Sequence, residues 1–437
     1  MLKTLVDPIN DRERSKLVRI NKHARLYSAQ VDLHQDFCHT HQITNEIVLS
    51  STSLRQRIPK KFLWLRPKNT SKLWIHISTS ASWQNVNKCL RRINLSQIHN
   101  LRLSEPSTDN GNYRKIALIK RILKSILRLT IRSLISFSAD VICYSFIKQV
   151  YLLLKRIKAI KHLSLNYAFD YCFVSQEIKQ IAPFTGKCKA IQLSLPSHRK
   201  LENISEFVTE PNWSELQGLD LCGNNIGDVG AAVLARNVTW KTMRILNLSS
   251  NKLGAEGIGK LVANSTWSNL RALYLQNNIL GVRGIRALAA NSSWRLLEKL
   301  DLSLNLIGDE EVKALATNVT WKNLLKLKLD LNQIQDNGVK WLAANSSWPR
   351  LEKLNLSQNV ITSGGVKSLA GNASWKNLKV LMLSHNRVGK SGAVLLAGNS
   401  SWEKLEVLCL QGNQITEEGL QSLKSNQAWK RTIKISV

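Results

Sequence analysis

Tryptophan recurs at a constant interval through the second half of this chain, and no other feature limits the fold so strongly. Consecutive members of the series are 27 residues apart, without one slip of register. A fixed period of roughly 20–50 residues indicates a repeat array, in which each unit is one small supersecondary element. The series runs Trp213, Trp240, Trp267, Trp294, Trp321, Trp348, Trp375, Trp402 and Trp429.

Other residues recur in the same register, and we number positions by their distance after each Trp. Positions +6, +8 and +21 are Leu in all eight complete units, and +11 is Asn in all eight. Position +13 is Ile, Leu or Val, and +17 is Gly except at Glu311. The Asn series at +11 runs Asn224, Asn251, Asn278, Asn305, Asn332, Asn359, Asn386 and Asn413.

The pattern within a unit predicts one short strand followed by one short helix. Two Leu separated by one residue lie on the same face of a strand, so +6 and +8 should be buried together. One strand and one helix cannot enclose a core, so the units must stack. We expect a packed Trp spine and a buried Asn ladder at +11. We also expect Gly at +17 to permit a tight entry to the helix, and Asn at +24 to form a left-handed helix cap.

The consensus Leu-x-x-Leu-x-Leu-x-x-Asn-x-Ile, followed by a Gly-containing turn and an amphipathic helix, resembles the leucine-rich repeat family. The resemblance is to the ribonuclease-inhibitor type, and it covers about half of the chain. It implies an α/β solenoid in the shape of a curved horseshoe, with parallel strands on the concave side and helices on the convex side. It also implies a protein that binds another protein and is not an enzyme.

The repeats predict four segments in the chain. Residues 213–437 form the regular units, with the last one stopping at a strand, and residues 157–212 form two divergent repeats. Residues 113–156 should be basic amphipathic helices that pack on the N-terminal end of the array. Residues 1–112 have no sustained periodicity, so their fold is not predicted. A degraded coding sequence in front of an intact array is a further interpretation of that region.

Two stretches before the array have more than one interpretation. Leu90, Ile93 and Leu95 have the spacing of a worn repeat within residues 83–103, although no Asn follows in its place. Residues 114–137 form a predicted helix with Lys and Arg on one face and Ile and Leu on the other. That helix would pack on the array, lie on a membrane surface or contact nucleic acid.

Positive charge is concentrated in the first half of the chain. The formal net charge is +32. Residues 1–200 contain 35 Lys and Arg against 11 Asp and Glu, whereas residues 201–437 contain 27 against 19. This excess favours an alternative hypothesis, in which residues 1–200 bind nucleic acid or an anionic membrane. Scattered charge without a nucleic-acid-binding motif weakens it.

Signals for catalysis, metal binding and secretion are missing from the sequence. We find no GxxxxGK[ST], HExxH or GxSxG motif, and we therefore predict no catalytic residue, no metal and no cofactor. The seven Cys include no CxxC pair, which favours the reducing cytoplasm over a disulfide framework. The first residues contain no apolar signal-peptide region, and Asp140 interrupts the longest apolar run, near 133–147.

The strand residues between the buried leucines predict a binding surface. Side chains at +5, +7, +9 and +10 should point out of the sheet onto the concave face. Three consecutive units have Lys at +5, on strands about 4.8 Å apart. Aromatic, Met and His side chains nearby would add contact area for a protein. The predicted partner-binding residues are Tyr274, Lys299, Asp301, Lys326, Lys328, Asp330, Lys353, Met382 and His385.

The leading hypothesis is a non-enzymatic scaffold that binds an unknown protein partner on its concave face. Arrays of near-identical units also occur in proteins of intracellular bacteria that act on host cells, so the resemblance admits a secreted effector. The last strand is a sheet edge, and an edge invites pairing with another chain. A dimer through that edge is therefore a further prediction.

Overall fold

The regular half of the chain folds into stacked strand–helix units in the computed structural model. The protein divides into two compact units, Met1–Phe169 and Asp170–Val437, and each is described by itself. The structure describes residues 46–50, 72–76, 100–104, 136–139, 162–166, 190–194, 204–209, 213–429 and 433–437.

The first unit contains five parallel strands among its described residues, and four of them lie upstream of residue 157, the predicted start of the repeats. Each strand pairs with the next along the chain in parallel register. Paired strands this far upstream extend the repeat-like arrangement into the region for which no fold was predicted. The strands are β1 (Glu46–Ser50), β2 (Lys72–His76), β3 (Asn100–Ser104), β4 (Ser136–Ala139) and β5 (His162–Asn166).

Strands β3 and β4 bear on two sequence predictions. Leu101 and Leu103 pair with residues of β2, whereas the predicted worn repeat used residues 90–95, which lie outside the described residues. Ser136 and Phe137 fall at the end of the predicted helix 114–137 but belong to β4. Polar and apolar residues alternate over Ser136–Ala139, and this period of two suits a strand.

The second unit alternates parallel strands with helices, as predicted. Its strands are β6 (Ala190–Ser194), β7 (Leu216–Asp220), β8 (Ile245–Asn247), β9 (Ala272–Tyr274), β10 (Lys299–Asp301), β11 (Lys326–Lys328), β12 (Lys353–Asn355), β13 (Val380–Met382), β14 (Val407–Cys409) and β15 (Lys434–Ser436). Its described helices are α1 (Ile204–Val208), α2 (Gly227–Ala235), α3 (Ala255–Ala263), α4 (Gly281–Ala289), α5 (Asp309–Ala316), α6 (Asp336–Ala344), α7 (Ser363–Ala370), α8 (Gly389–Ala397) and α9 (Glu417–Lys424).

Equivalent residues of neighbouring units lie side by side in this second unit. Leu300 of β10 pairs with Leu327 of β11, which pairs with Leu354 of β12. The leucines at +6, +8 and +21 are buried in every complete unit. No helix in the described segments is long and apolar enough to cross a membrane.

The Trp series forms a buried column through the array. Its members from Trp213 to Trp402 are less than 2% exposed. The rings of Trp240 and Trp267 stack with centroids 6.4 Å apart. The indole N–H groups of Trp321 and Trp348 meet no hydrogen-bond acceptor in the described part of the chain. Apolar packing therefore holds these rings in place.

The Asn residues at +11 form the expected buried ladder, and Asn332 shows its bonding. Its Oδ1 accepts hydrogen bonds from the backbone N–H of Asn305, at 2.9 Å, and of Ile307, at 3.0 Å. Its Nδ2 donates to the carbonyls of Leu302 and Leu329, at 3.1 and 2.9 Å. One side chain thus satisfies backbone groups that the turn after the strand removes from the sheet in two adjacent units.

The Asn residues at +24 form a second ladder, and the predicted left-handed cap is wrong. Asn264, which follows α3, has φ −75° and ψ 103°. Asn318 donates to the carbonyl of Ala289, the last residue of α4, at 2.7 Å. Its Oδ1 accepts from the backbone N–H of Thr320 and Trp321, both at 3.0 Å. The side chain therefore caps the helix of the preceding unit and fixes the next Trp, and these bonds require an extended backbone.

The Gly residues at +17 lie inside the helices, where neighbouring helices approach closely, and not at a turn before them. A Cβ on Gly257 of α3 would lie 3.0 Å from the Cα of Asp228 in α2. Gly338 and Gly365 have the same relation to Asp309 and Asp336, at 3.2 and 3.1 Å. Small residues at +17 thus permit the helices to pack. The exception, Glu311, accepts a hydrogen bond from the Gly308 backbone N–H at 3.0 Å and so caps its own helix.

Candidate interaction surface

Three lysines lie side by side on the strand surface, which we define as the side chains at +5, +7, +9 and +10 of each unit. Lys299 pairs with Lys326 and Lys326 with Lys353, on β10, β11 and β12. Burial lowers the pKa of Lys326, and the charges of Lys353 and Lys299 lower it further, while Glu352 opposes them. None of the three forms an ion pair with a described residue. This lysine column therefore presents positive charge that no ion pair with a described residue neutralises.

The predicted acidic residues beside the lysine column belong to a hydrogen-bonded network. Asp301 is buried, accepts a hydrogen bond from Ser303 Oγ at 2.6 Å and pairs with Lys328 Nζ at 3.0 Å. Asp330 Oδ1 lies 2.7 Å from the same Ser303 Oγ, whose single hydrogen is shared between the two carboxylates, and it accepts from Asn355 Nδ2 at 2.8 Å. The network uses the polar groups of Asp301, Lys328 and Asp330 internally, so they form a floor next to the lysines.

Charge within this network also shifts the ionisation of its lysine. Burial lowers the pKa of Lys328, but the hydrogen bond to Asp301 and the negative charges of Asp301 and Asp330 raise it by more. The net shift is upward, opposite to that of Lys326. The two neighbouring lysines on β11 therefore differ: Lys328 forms an ion pair with Asp301, and Lys326 forms none with a described residue.

The remaining predicted residues lie toward the two sides of the lysine column. Tyr274 is on β9 and pairs with Asp301, so it borders the network directly. Met382 is on β13 and pairs with Asn355. His385 lies in the turn after β13, and a Cβ on Gly412 of the next unit would lie 2.5 Å from its Nδ1. Four strand intervals of about 4.8 Å separate Tyr274 from Met382, so the two cannot contact each other.

The turn after each strand has a conformation that sequence reasoning missed. Position +10 has a positive φ, between 55° and 72°, in all eight complete units. Gly, Ser or Asn occupies this position in half of them, which suits a left-handed backbone. Leu304 and Leu331 occupy it in two adjacent units, with φ of 55° and 57°, and Leu306 at +12 has a φ of 57°.

These leucines form part of an exposed apolar cluster. Leu306 and Ile279 hold +12 in adjacent units, and each is 63% exposed, while Leu304 is 39% exposed. Leu331 is half-buried. We call Ile279, Leu304, Leu306 and Leu331 the apolar rim. The signal available in the sequence was the replacement of turn-forming residues by Leu and Ile at +10 and +12.

Within the described residues, no group of three or more His, Cys, Asp or Glu is placed to hold a metal ion. The strand surface presents charge, hydrogen-bonding groups and apolar area. Its components are the lysine column, the polar network and the apolar rim, all centred on the units that begin at Trp267, Trp294, Trp321 and Trp348.

Comparison of the sequence with family models gives one matching description, "Leucine Rich repeat". A search of curated proteins finds no match. The family match falls on seven segments, all within the regular array. They are residues 216–235, 241–262, 295–316, 322–343, 350–370, 376–397 and 403–424.

Three solved structures illustrate what the fold is similar to. The complex of Rad7 and Elc1 from yeast has a TM-score of 0.51 and 13% identity, and the match covers 99% of this chain and 98% of that one. An internalin of Listeria monocytogenes has a TM-score of 0.45 and 16% identity, covering 81% and 93%. A leucine-rich repeat protein of Leptospira interrogans has a TM-score of 0.41 and 20% identity, covering 95% and 98%. At these identities the likeness concerns the fold.

Proposed function

This chain carries leucine-rich repeats, and from that premise we propose that it is a non-enzymatic scaffold that binds a protein partner on its strand surface. In a solenoid of this type that surface is the concave face, where side chains from many strands meet one partner. The observation that carries the proposal is the lysine column, because three adjacent charged side chains have no ion-pair partner among the described residues. Repeat arrays of this kind are typically interaction scaffolds.

Photo-crosslinking tests which face the partner contacts. A benzophenone amino acid replaces Tyr274 or Met382 on the strand surface, and the matched control replaces Trp341, an exposed aromatic residue on α6. We expect the two strand positions to capture the same protein and the helix position not to capture it. Capture from Trp341 alone would place the partner on the helices and contradict the proposal.

Charge reversal then tests the lysine column with the captured protein. Lys299→Glu, Lys326→Glu and Lys353→Glu together should weaken binding by about tenfold or more, since charge complementarity contributes to both association and specificity. Reversal of Lys313, Lys340 and Lys367, on helices α5, α6 and α7, is the matched control. Equal loss in both triple variants would indicate a nonspecific charge effect.

A second candidate function rests on the charge of the first half. Residues 1–200 have 24 more Lys and Arg than Asp and Glu, which favours binding to nucleic acid or an anionic membrane. Fragment 1–200 should then bind RNA, DNA or anionic vesicles in a way that persists at physiological salt. Retention that disappears near physiological salt would leave only general electrostatic attraction.

Three further proposals concern location, role and oligomeric state. A cytoplasmic location is supported by seven scattered Cys without a CxxC pair. An effector role in a host cell rests on family analogy alone. A dimer through β15 is also proposed, and light scattering at micromolar concentration tests it: a monomeric mass would contradict it.

A further inference from the structure

We propose that the partner segment is an amphipathic α-helix with an acidic stripe and an apolar stripe, which lies across strands β9 to β12. This inference rests on the proposed scaffold function and specifies the chemistry of its ligand. Its two sides are the lysine column and the apolar rim, which each extend over three consecutive units and share the two that begin at Trp294 and Trp321. The polar network between them forms the floor.

The lysine column and the apolar rim have the separation that a helix requires. The lysines are at +5, and the residues of the rim are at +10 and +12. An extended backbone rises roughly 3.3 Å per residue, so +5 and +10 are at most about 16 Å apart. An α-helix with its side chains is about 10–12 Å wide. A helix that crosses the strands over the network would thus face the lysines on one flank and the leucines on the other.

The spacing between the lysines matches the spacing between side chains along one face of a helix. Lys299, Lys326 and Lys353 are in register on adjacent strands, so their Cα atoms are about 4.8 Å apart. Side chains at i, i+4 and i+7 of a helix lie on one face at intervals of about 5–6 Å. Three Glu at those positions can therefore each meet one lysine, and the flexible lysine side chains absorb the small mismatch.

The apolar rim has no role in holding the fold that the structure shows. Leu304 and Leu306 are exposed, so they add little buried apolar area. With Leu331 they also adopt a left-handed backbone, which costs a non-Gly residue about 1–2 kcal/mol. Exposed apolar area next to unpaired charge is the composition of a binding surface. Strain without compensating burial points to the same conclusion.

A designed helical peptide tests the inference with the full chain. The probe has Glu at i, i+4 and i+7 and Leu at i+1, i+5 and i+8 in an Ala and Gln background. We expect binding by fluorescence anisotropy with a dissociation constant below about 100 µM. Two control peptides replace the Glu by Lys or the Leu by Ser, and neither should bind.

Two protein variants separate the two sides of the surface. Lys299→Gln, Lys326→Gln and Lys353→Gln together should weaken peptide binding about tenfold or more. Leu304→Asn, Leu306→Asn and Leu331→Asn together should do the same without loss of stability in urea. Asn277 at +10 and Asn225 at +12 already adopt this backbone, with φ of 55° and 52°. Gln333→Ala, beside the rim, should leave binding unchanged.

The outcomes distinguish this inference from the scaffold proposal. Absence of peptide binding, or binding unchanged in the Asn variant, overturns the inference, while crosslinking through Tyr274 and Met382 would leave the scaffold proposal standing. Failure of both experiments overturns both. Tighter binding of a single-stranded oligonucleotide, lost in the Gln variant only, would assign the lysine column to nucleic acid. Self-association lost in the Asn variant would assign the rim to a second copy of this chain.

Discussion

A single side chain connects two units at each step of the Asn ladder. Asn332 bonds to backbone groups of its own unit and of the unit before it, and it is 8% exposed. Neither unit can satisfy these groups alone, because the chain turns away from the sheet after the strand. The ladder therefore makes each turn depend on its neighbour.

Replacement of Asn332 by Ala should lower the free energy of unfolding by about 3 kcal/mol or more, since each buried group left without a partner costs about 1–3 kcal/mol. Urea denaturation monitored by circular dichroism measures the change. Gln333→Ala, at the exposed next position, should stay within about 0.5 kcal/mol of the unchanged protein. A loss below about 1 kcal/mol at Asn332 would mean that other groups or water satisfy the turn.

The ionisation of Lys326 should respond to its two neighbours. Burial is the largest cause that lowers the pKa of Lys326, and the charges of Lys353 and Lys299 lower this pKa further. Lys299→Gln with Lys353→Gln should therefore raise its pKa, and the effect of burial should remain. Nuclear magnetic resonance titration of the lysine side chain measures this shift.

The sign of this shift also predicts a pH dependence. A lysine with a lowered pKa loses its charge at a lower pH than an ordinary lysine. Binding of an acidic partner should weaken as the pH rises through that lowered value. An unchanged pKa of Lys326 in the double variant would show that the lysines do not interact.

Residue periodicity predicted the ladder at +11 but not the conformation at +24. Both positions are Asn in the sequence, and Asn tolerates a left-handed backbone. At +24 the side chain bonds forward to two N–H groups and back to a helix carbonyl, and these partners select an extended backbone. Hydrogen-bond partners in the neighbouring unit determine the backbone conformation at +24, and the residue pattern within one unit does not show these partners.

At the scale of elements, helix α6 shows how adjacent units support both ends of a helix. Asp336 at the start of α6 accepts a hydrogen bond from the Thr362 backbone N–H, which precedes α7, at 2.8 Å. Asn345 donates to the carbonyl of Ala316, the last residue of α5, at 2.7 Å. Helix ends leave backbone groups without intrahelical partners, and here adjacent units supply them. Helices this short are marginal in isolation.

Two glycines of α3 provide a matched test of helix packing. A Cβ on Gly257 would lie 2.5 Å from Asp228 Oδ1, whereas a Cβ on Gly259 would meet nothing within 4 Å. Gly257→Ala should destabilise the protein by about 1–3 kcal/mol through overpacking. Gly259→Ala should stabilise it by about 0.5–1 kcal/mol through helix propensity. Equal effects in urea denaturation would contradict close packing between α2 and α3.

The sequence predicted the order of elements from +6, +8 and +21, since apolar spacing directly reflects burial. It did not predict the role of Gly at +17, because a glycine suits a turn and a close helix contact equally well. It also missed strands β1 to β4, whose segments lack the Trp and Asn series. On the strand surface it predicted the lysines on adjacent strands, which are in register, but gave no weight to the apolar rim.

At the scale of the whole molecule, stability should be shared between neighbouring units. Stacked repeats contact only adjacent repeats, so stability is a sum of unit and interface contributions. Each regular unit contributes one buried Trp ring to the column. Damage in the middle of the array should therefore have a different consequence from damage near its end.

Trp321→Ala should cost roughly 3–5 kcal/mol and broaden the urea transition, because the units on either side unfold separately. Trp402→Ala, near the end of the array, should cost a similar amount with less broadening. Trp321→Phe should cost clearly less than Trp321→Ala, since it keeps an aromatic ring and removes an indole N–H that meets no acceptor among the described residues. A cost below about 1 kcal/mol for Trp321→Ala would refute the role of the Trp column.

The second Asn ladder has a consequence for where this array can fold. Seven of its members begin the sequon Asn-x-Ser/Thr, from Asn237 to Asn399, and all seven are buried with Nδ2 bonded to a carbonyl of the unit before. A sugar on that nitrogen would have no room inside the stack. In a yeast endoplasmic reticulum we expect glycosylated, protease-sensitive chains, and inhibition of oligosaccharide transfer should restore a protease-resistant array.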